Sequence, residues 1–431
     1  MRIGFYGDDF TGSVDALLQL RRAGLTGVLA TSVEHAAAAA SGAEAVGIAG
    51  VARSLRTEDL TAELRPVLDW FARQQAPIVQ YKACSTADSS PEQGSLGRVL
   101  ELAREVFGTA PVPVVFAQPD FGRYTFFGHH FARDGDQVFR LDRQPTMRAH
   151  PSTPSTESDL ARHLGAQTSL PVGTLPWTEY EPGAAGRLAT LLATSSDAAV
   201  VCDAFTDAHL DLLGLAITQD ADRPGRTAGA AGADAVTGAR FVLGAGGLSL
   251  GLGRALGGSA PALSTTAAPA QGPCLALSGS RSPRTWRQIE AAARAGWTCI
   301  DLRESGAAER AIAAHTSGAH TVYHSSTPGG QQLDAAAVVE ALVQVAATRL
   351  QAAPATRVLL CGGDTSGTVL RRLGVASLSI TSQPWGNVVL CQTRAPAHPY
   401  DGAEVVLKGG QMGHEDLFED VRHGRTPALP P

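Results

Sequence analysis

The first residues suited to chemistry stand near the amino terminus, directly after a short apolar run. Asp8 and Asp9 lie in the segment Gly-Asp-Asp-Phe-Thr-Gly-Ser at residues 7–13. Adjacent carboxylates can hold substrate hydroxyls, and one of them can remove a proton as a general base. Capping of the following helix is the alternative, but a cap needs only one acid. We therefore predict that this acidic pair is catalytic, with either Asp8 or Asp9 as the base.

A second polar segment contains one of the two lysines of the chain. Lys82 opens the segment Lys-Ala-Cys-Ser-Thr-Ala-Asp-Ser-Ser at residues 82–90, and Lys408 is the other lysine, against 33 arginines. Lysine is a compact point charge that can reach a single phosphate or oxyanion, whereas arginine is a broad planar fork. The cation and hydroxyls of residues 82–90 predict a site for a polyhydroxy or carboxylated ligand, with a plain polar loop as the alternative.

Three loops rich in glycine and serine follow apolar runs in the second half of the chain. They are Ser-Gly-Ser-Arg-Ser at residues 278–282, Gly-Gly-Asp-Thr-Ser-Gly at residues 362–367 and Lys-Gly-Gly at residues 408–410. Glycine lets backbone N–H groups approach an anion, and a helix that begins in such a loop adds a favourable dipole. Together the three loops predict a nucleotide site, although each alone is also compatible with an ordinary turn between a strand and a helix.

The elements that must position these residues alternate between strand-like apolar runs and helical patterns. Among them, residues 2–6 and 45–49 are predicted as strands and residues 368–373 as a helix. Such alternation is typical of the α/β class with largely parallel sheets, whose ligands bind at the carboxyl ends of the strands. We predict two α/β domains with the active site in the cleft between them. Their bounds are residues 1–254, a Gly/Pro/Ser-rich linker at 255–272, a second domain at 273–424 and a flexible tail at 425–431.

Composition excludes several classes of protein. The 431 residues carry a net charge of −6 and the pI is about 6.1, so we expect neither nucleic acid nor an anionic membrane as a partner. The six cysteines form no C-x-x-C pair, and the amino terminus resembles no secretion signal. We expect a cytoplasmic protein. The twelve histidines show no spacing typical of a metal site, so we predict no metal ligands.

Taken together, the motifs resemble those of the four-carbon acid sugar kinase family. The resemblance runs in order along nearly the whole chain, and its first and sixth motifs are the most specific. The matching motifs are GDDFTGSVDAL at 7–17, KACSTADSS at 82–90, QPDFGRYTFFG at 118–128, HPSTPSTESDL at 150–160, LSGSRSPRTWRQIE at 277–290, CGGDTSGTVLRRLG at 361–374 and LKGGQMG at 407–413.

This resemblance implies an amino-terminal sugar-acid domain, a carboxy-terminal nucleotide domain, and phosphorylation of a hydroxyl with ATP and Mg²⁺. Asp8 and Asp9 would contact a small-molecule sugar acid, and Lys82, Ser85 and Arg123 would support its carboxylate or hydroxyls. A homodimer is the assembly we expect. The residues implied to surround ATP are Ser278, Ser280, Gly362, Gly363, Asp364, Thr365, Ser366, Gly367, Lys408, Gly409 and Gly410.

One departure from the family pattern concerns the substrate. Many members read Lys-Thr-Asp-Ser-Thr-Leu-Arg-Gly from the position of Lys82, so here Cys84 replaces an acid and Asp88 replaces a cation. A desolvated acid in place of arginine would repel a substrate carboxylate by several kcal/mol. The substrate is therefore expected to differ from the commonest tetronate of the family, and 3-oxo-isoapionate is one branched or oxidised acid that relatives with Cys-Ser-Thr accept.

Two other functions compete with the kinase. Residues 251–257 read Gly-Leu-Gly-Arg-Ala-Leu-Gly, which resembles a dinucleotide fingerprint and would suit an NAD(P)-dependent dehydrogenase of a sugar acid. Its spacing is G-x-G-x-x-x-G rather than G-x-G-x-x-G, so we expect a close-packed glycine turn instead. The third possibility is a sensor that binds sugar acid and nucleotide without turnover.

Overall fold

The structure is a computed structural model that describes residues 1–150, 152–181, 183–221, 240–330 and 333–427. It divides into two compact units. The first unit contains residues 1–27 and 40–261, and the second contains residues 28–39 and 262–431. The division at residues 261 and 262 falls within the segment 255–272, and the second unit also takes a short segment from near the amino terminus.

The strands and helices alternate along most of the chain. The strands are β1 (Ile3–Gly7), β2 (Gly27–Ala30), β3 (Ala45–Ala49), β4 (Ile78–Lys82), β5 (Val112–Val115), β6 (Arg123–Phe126), β7 (His129–Asp134), β8 (Gln137–Arg140), β9 (Val172–Leu175), β10 (Ala199–Cys202), β11 (Arg240–Gly244), β12 (Leu275–Ser278), β13 (Thr298–Asp301), β14 (Thr321–His324), β15 (Val358–Cys361), β16 (Ser377–Trp385), β17 (Val388–Arg394) and β18 (Glu404–Lys408). The α-helices are α1 (Phe10–Arg22), α2 (Val33–Ala39), α3 (Leu60–Arg73), α4 (Leu96–Phe107), α5 (Pro145–Arg148), α6 (Leu160–Gly165), α7 (Ala185–Thr194), α8 (Asp207–Ala221), α9 (Gly246–Leu256), α10 (Pro283–Arg294), α11 (Ala307–Thr316), α12 (Ala335–Ala352), α13 (Gly363–Arg372) and α14 (Leu417–His423).

The first unit is built on a parallel sheet with the strand order β3-β1-β4-β11-β5-β10-β9. Strand β1 is buried along its whole length, which explains its continuous apolar sequence. Its last residue, Gly7, pairs with Ala49 of β3 and with Lys82 of β4. Because the three strands end at the same level, the loops that follow them meet at one edge of the sheet.

The second unit has a sheet in which β13, β14, β12, β15 and β18 are parallel neighbours. The antiparallel strands β17 and β16 continue it, and Leu29 and Ala30 of β2 pair antiparallel with β16. The two α/β units with mainly parallel sheets confirm the predicted fold class. The β16–β17 hairpin is an antiparallel addition that the sequence did not indicate.

A small antiparallel sheet, β6-β7-β8, is a further addition to the first unit. It starts in the motif at residues 118–128, for which no strand was predicted. His130 of β7 lies within 2.8 Å of the carbonyl oxygen of Ser85 through its Nε2 atom. The small sheet therefore packs against the loop that follows β4.

Two local predictions about glycine segments were wrong. Residues 251–256 belong to helix α9 rather than to a turn, so they are not the strand–turn–helix junction that a dinucleotide fingerprint requires. Gly251 is needed for packing, because a Cβ atom there would lie 2.2 Å from the carbonyl oxygen of Leu210 in α8. Helix α13 begins at Gly363, whereas the sequence predicted a helix only from Thr368.

The carboxy-terminal residues are described as far as residue 427. Arg425 accepts a hydrogen bond from the indole of Trp385 through its carbonyl oxygen, and Thr426 donates to the carbonyl oxygen of Thr265. The remainder of the predicted flexible tail, residues 428–431, lies outside the described residues. Within the described part of the chain, none of the helices combines the length and apolarity that a membrane span demands.

Candidate functional site

Asp8 and Asp9 lie at the carboxyl end of β1 and are held by a single arginine. Arg53 donates to Asp8 from Nη2 to Oδ1 at 2.8 Å and from Nε to Oδ2 at 3.3 Å. Its third nitrogen, Nη1, lies 2.9 Å from Oδ2 of Asp9. The guanidinium thus bridges both carboxylates, and its planar fork is the group that such a bidentate contact requires.

The two carboxylates differ in what else they bind. Asp9 is the N-cap of α1: its Oδ1 accepts from the backbone N–H of Gly12 at 2.7 Å, and its Oδ2 lies 3.1 Å from the Thr11 hydroxyl. Among the described residues, the side chain of Asp8 accepts hydrogen bonds from Arg53 alone. The capping interpretation therefore applies to Asp9, which caps the helix. The catalytic interpretation suits Asp8, whose carboxylate can still accept hydrogen bonds from a ligand.

Burial and charge shift the two acids in opposite directions. Burial raises the pKa of Asp8 above its usual range, and the neighbouring Asp9 raises it further while Arg53 opposes both. Burial also acts to raise the pKa of Asp9, but Arg53, Lys82 and the Gly12 N–H outweigh it and hold that pKa below its usual range. Such a separation of two adjacent acids is typical of sites that assign them different roles.

Arg53 was missed by the sequence reasoning. It lies in a short 3₁₀ helix, Ala52–Ser54, three residues after the end of β3. Its segment Gly-Val-Ala-Arg-Ser contains neither the acids nor the paired glycines that marked the other loops. The available signal was topological: β3 is a parallel strand, and its carboxyl end faces the same crevice as that of β1.

Lys82 lies at the end of β4 and is buried beside the acidic pair. Its Nζ donates to the carbonyl oxygen of Ala83 at 2.9 Å and lies 3.7 Å from Oδ2 of Asp15. A Cβ atom on Gly12 would lie 2.3 Å from Oδ1 of Asp9 and 3.2 Å from the Lys82 Nζ, so glycine is required where α1 passes these groups. The predicted cation and acids thus share one small, buried, charged cluster.

The loop after Lys82 forms a chain of short polar contacts. The Cys84 thiol lies 3.0 Å from the Thr86 hydroxyl, which donates to Oδ1 of Asp88 at 2.7 Å. Burial and the nearby Asp88 raise the pKa of the Cys84 thiol to about 11, so this thiol stays protonated at neutral pH. Cys84 and Asp88, the two positions that depart from the family pattern, therefore both contact the Thr86 hydroxyl.

Two other predicted substrate residues lie around this loop. Ser85 contributes its carbonyl oxygen to the contact with His130, whose pKa burial lowers to about 4. Arg123 donates from Nη1 to the carbonyl oxygen of Phe121 at 2.9 Å. Burial lowers the pKa of Arg123, and the negative charge of Asp88 opposes that shift.

In the second unit, the three predicted loops meet because β12, β15 and β18 are neighbours. A Cβ atom on Gly279 would lie 2.5 Å from the Thr365 hydroxyl, and one on Gly410 would lie 2.9 Å from the Ser280 hydroxyl. Gly362 has a φ of 116°, which a side chain would disfavour, and it is the N-cap of α13. The loops therefore approach each other at distances that only glycine permits.

Lys408 links two of these loops from within the protein. Its Nζ donates to the Thr285 hydroxyl at 2.8 Å and to the carbonyl oxygens of Gly409 at 3.0 Å and Gly410 at 3.4 Å. Thr285 in turn lies 3.1 Å from the Ser280 hydroxyl. Burial lowers the pKa of Lys408. The second lysine thus ties the loop of residues 408–410 to the loop of residues 278–282.

A cavity of about 1030 Å³ opens beside the loops of the second unit. Gly279, Ser282 and Thr365 line it, together with the Trp286 side chain of α10. Several arginines and a set of small apolar side chains complete the wall. Arg281 belongs to the predicted loop of residues 278–282, whereas the other arginines and the apolar residues were not predicted to line the site. The additional lining residues include Arg281, Arg287, Arg303, Leu333, Val338 and Arg372.

The remaining predicted nucleotide residues lie in or next to the first turns of α13. Gly363, Thr365, Ser366 and Gly367 belong to the helix, and Ser366 donates its backbone N–H to the Gly362 carbonyl at 3.0 Å. Asp364 is in the same turn, and its side chain lies outside what the structure describes. Ser278 is buried and contacts the Ser326 hydroxyl at 2.9 Å. The N-terminus of α13 thus points its backbone donors to the loops.

Comparisons with known proteins agree with the division into two units. Residues 3–237 match a family described as a sugar-binding N-terminal domain, and residues 275–418 match a nucleotide-binding C-terminal domain. The solved structure of a Salmonella typhimurium LT2 protein, described as a putative tRNA synthase, superposes with a TM-score of 0.73 at 26% identity and covers 97% of both chains.

Two curated relatives are named for their substrates. A 3-oxo-isoapionate kinase of Paraburkholderia graminis is 32% identical, over 98% of this chain and 94% of that protein. A 3-oxo-tetronate kinase of Methylobacterium radiotolerans is 30% identical, over 97% of this chain and 98% of that protein. The motifs, the fold and these relatives agree, and the chain therefore belongs to the four-carbon acid sugar kinase family and is a sugar-acid kinase that uses ATP.

Proposed function

We propose that this kinase transfers the γ-phosphoryl group of ATP to a hydroxyl of a 3-oxo sugar acid, of the 3-oxo-isoapionate or 3-oxo-tetronate type. The observation that carries the proposal is the cluster of Asp8, Asp9, Arg53 and Lys82 at one edge of the sheet of the first unit. It offers a carboxylate for a hydroxyl proton and cations for a substrate carboxylate. These are the two groups that every sugar acid presents.

Asp8 is the proposed general base. Both oxygens of Asp9 are engaged by Gly12, Thr11 and Arg53, whereas Asp8, within the part of the chain that the structure describes, accepts from Arg53 alone. Burial raises the pKa of Asp8, which makes its carboxylate a better proton acceptor. In this proposal Asp8 orients and deprotonates the attacking hydroxyl, and Asp9 fixes α1 and the orientation of Arg53.

The nucleotide is proposed to occupy the cavity of the second unit. Arg281 and Arg287 supply positive charge at its wall, and Gly279 and Thr365 bring backbone and hydroxyl donors to it. The N-terminus of α13 suits the binding of phosphate. Phosphoryl transfer depends mainly on positioning and on neutralising charge, so this half of the protein needs no covalent chemistry of its own.

Magnesium is proposed to arrive with the nucleotide. Among the described residues there is no group of three His, Cys, Asp or Glu side chains that could enclose a metal ion. Mg²⁺ in kinases is commonly held by substrate phosphates and one or two protein oxygens, and the hydroxyls of Ser280 and Thr365 are oxygens of that kind. When bound, Mg²⁺ would neutralise phosphate charge, and the loops of residues 278–282 and 362–367 would hold the phosphates.

The loop of residues 84–88 supports a substrate that differs from threonate or erythronate. The Cys84 thiol is neutral, and Asp88 is engaged by the Thr86 hydroxyl at 2.7 Å. The family pattern has an acid and a cation at these two positions. Exchange of both changes the charge presented to the substrate, in agreement with a 32% identical relative that is named for a branched 3-oxo acid.

The test is an ADP-release assay with the full chain, Mg-ATP and a panel of acids: 3-oxo-isoapionate, 3-oxo-tetronates, threonate and erythronate. We expect kcat/KM for at least one 3-oxo acid to exceed that for threonate and erythronate by about tenfold or more. A preference for threonate or erythronate would overturn the substrate class. Thermal stabilisation by NAD(P) in place of Mg-ATP would overturn the nucleotide assignment.

A further inference from the structure

The short 3₁₀ helix that carries Arg53 is held by a buried tyrosine. The Tyr6 hydroxyl accepts hydrogen bonds from the backbone N–H groups of Val51 at 3.2 Å and Ala52 at 3.3 Å. It donates its own proton to Oε1 of Glu63 in α3 at 2.6 Å. One phenol oxygen therefore takes part in three hydrogen bonds, two of them to the residues directly before Arg53.

The packing around this hydroxyl leaves the turn little freedom. Tyr6 is 1% exposed, and a Cβ atom on Gly50 would lie 1.8 Å from the Tyr6 hydroxyl oxygen. The backbone of the same turn is also attached to β1, because Arg53 donates its N–H to the carbonyl oxygen of Asp8 at 3.1 Å. The turn that carries Arg53 is thus attached to Tyr6 of β1 and to Asp8, the residue directly after β1.

We propose that Tyr6 is a positioning residue of the acceptor site, which orients the guanidinium of Arg53 toward Asp8 and Asp9 through its contacts with Val51 and Ala52. The proposal rests on the proposed function, because it gives the Asp8–Arg53 pair a role in binding the sugar acid. It assigns a task to the Tyr6–Glu63 pair, neither of which reaches Asp8 or Asp9 through a hydrogen bond among the described residues.

Tyr81 provides a matched control. It is the register partner of Tyr6 on β4, it is equally buried, and the two ring centroids lie 5.6 Å apart. The Tyr81 hydroxyl has no hydrogen-bond partner within the described part of the chain. Tyr81→Phe and Tyr6→Phe thus remove the same atom from neighbouring rings of the same core, but only the second removes support from the Arg53 turn.

The experiment measures kcat and the KM values for the sugar acid and ATP in the full-length wild type, Tyr6→Phe and Tyr81→Phe. We expect Tyr6→Phe to lower kcat/KM for the acid by about tenfold or more, because small misplacements at a reacting centre are costly. The KM for ATP should stay within about twofold for both variants, and Tyr81→Phe should retain kcat/KM for the acid within about twofold.

Three results would overturn the proposal: equal behaviour of the two variants, a loss that affects the acid and ATP alike, or wild-type kinetics for Tyr6→Phe. If Tyr6→Phe does not fold, Glu63→Ala replaces it, since Glu63 is only partly buried on α3. Glu63→Ala must lower kcat/KM for the sugar acid, by less than Tyr6→Phe would, and leave the KM for ATP unchanged. If Glu63→Ala shows no such acid-selective decrease, the proposal is also overturned. A wild-type protein that phosphorylates no acid in the panel would instead refute the proposed function.

Discussion

Arg53 donates two hydrogen bonds to Asp8, from Nη2 to Oδ1 at 2.8 Å and from Nε to Oδ2 at 3.3 Å. The third nitrogen reaches Asp9, so one side chain from the end of β3 arranges two carboxylates from the end of β1. Each partner is largely buried, and burial alone would disfavour all three charges. The cluster is stable because the charges offset one another, and removal of one partner leaves the others buried and uncompensated.

Replacement of Arg53 should therefore damage acceptor use selectively. In Arg53→Lys the charge is kept but the bidentate fork is lost, so we expect kcat/KM for the sugar acid to fall by about a hundredfold. The KM for ATP should change little. Steady-state kinetics with each substrate varied in turn measures both effects.

Arg56→Lys is the control for this change, because Arg56 lies nearby and pairs with Glu58 while 75% of its side chain is exposed. Its kinetics should match those of the wild type. Arg53→Lys with an unchanged kcat/KM for the acid would contradict the role of the cluster in acceptor binding.

The two acids should differ when each is changed to its amide. Asp8→Asn removes the proposed base, and we expect kcat to fall by about a hundredfold or more while Mg-ATP still binds. Asp9→Asn retains an oxygen for the Gly12 N–H, so its main effect should be on the KM for the acid. Turnover kinetics combined with calorimetric titration of Mg-ATP distinguishes the two. Normal kcat in Asp8→Asn would show that the base assignment is wrong.

Replacement of the two lysines should impair the use of different substrates: Lys408 for ATP and Lys82 for the sugar acid. The Nζ of Lys408 is enclosed by Thr285 and the carbonyl oxygens of its own loop, where the longer guanidinium of arginine does not fit. We expect Lys408→Arg to raise the KM for ATP by about tenfold and Lys82→Arg to raise that for the acid by a similar factor. Arg294→Lys, at an exposed position of α10, serves as the control. Unaltered kinetics in both lysine variants would contradict the inference that the two lysines of the chain are needed for substrate binding.

Protonation of His130 should lower stability in mild acid. Burial, with a further contribution from Arg123, lowers its pKa to about 4, against about 6.5 in an unfolded chain. Between pH 6.5 and 4 the unfolded state binds more protons at this site, so the free energy of unfolding decreases as the pH falls. The contribution is at most about 3 kcal/mol at pH 4.

Urea unfolding of the wild type and His130→Gln at pH 7.5, 6 and 5 measures this effect. The variant should lose less stability than the wild type across that range, because glutamine does not titrate. The other histidines are common to both proteins and cancel in the comparison. Parallel pH dependences would mean that His130 is not buried in its neutral form.

Much of the first unit follows from sequence patterns because its strands are apolar throughout. Strand β3 occurs at the residues predicted, and β1 differs by one residue at each end. The acidic pair and Lys82 were placed correctly at strand ends, since a parallel sheet brings its carboxyl ends to one edge. Arg53 was not found, because its partner acids are 45 and 44 residues away in sequence and only the pairing of β1 with β3 brings them together.

Other elements depend on packing that a single sequence does not display. Helix α9 contains four buried glycines that favour a turn by local preference, yet contact with α8 stabilises the helix. The cavity residues Trp286 and Arg287 come from an amphipathic helix whose pattern predicts burial but not a binding wall. The β6-β7-β8 sheet was missed because its short strands are partly exposed and lack a regular alternation.

The most direct test of the account is the fate of the γ-phosphoryl group. Phosphorus NMR of a reaction containing the full chain, Mg-ATP and a 3-oxo sugar acid follows every phosphorus species at once. We predict a new phosphate monoester signal that grows in step with ADP, requires the acid, and is lost in Asp8→Asn. Release of inorganic phosphate in place of an ester, or no ATP consumption with any acid of the panel, would contradict the account.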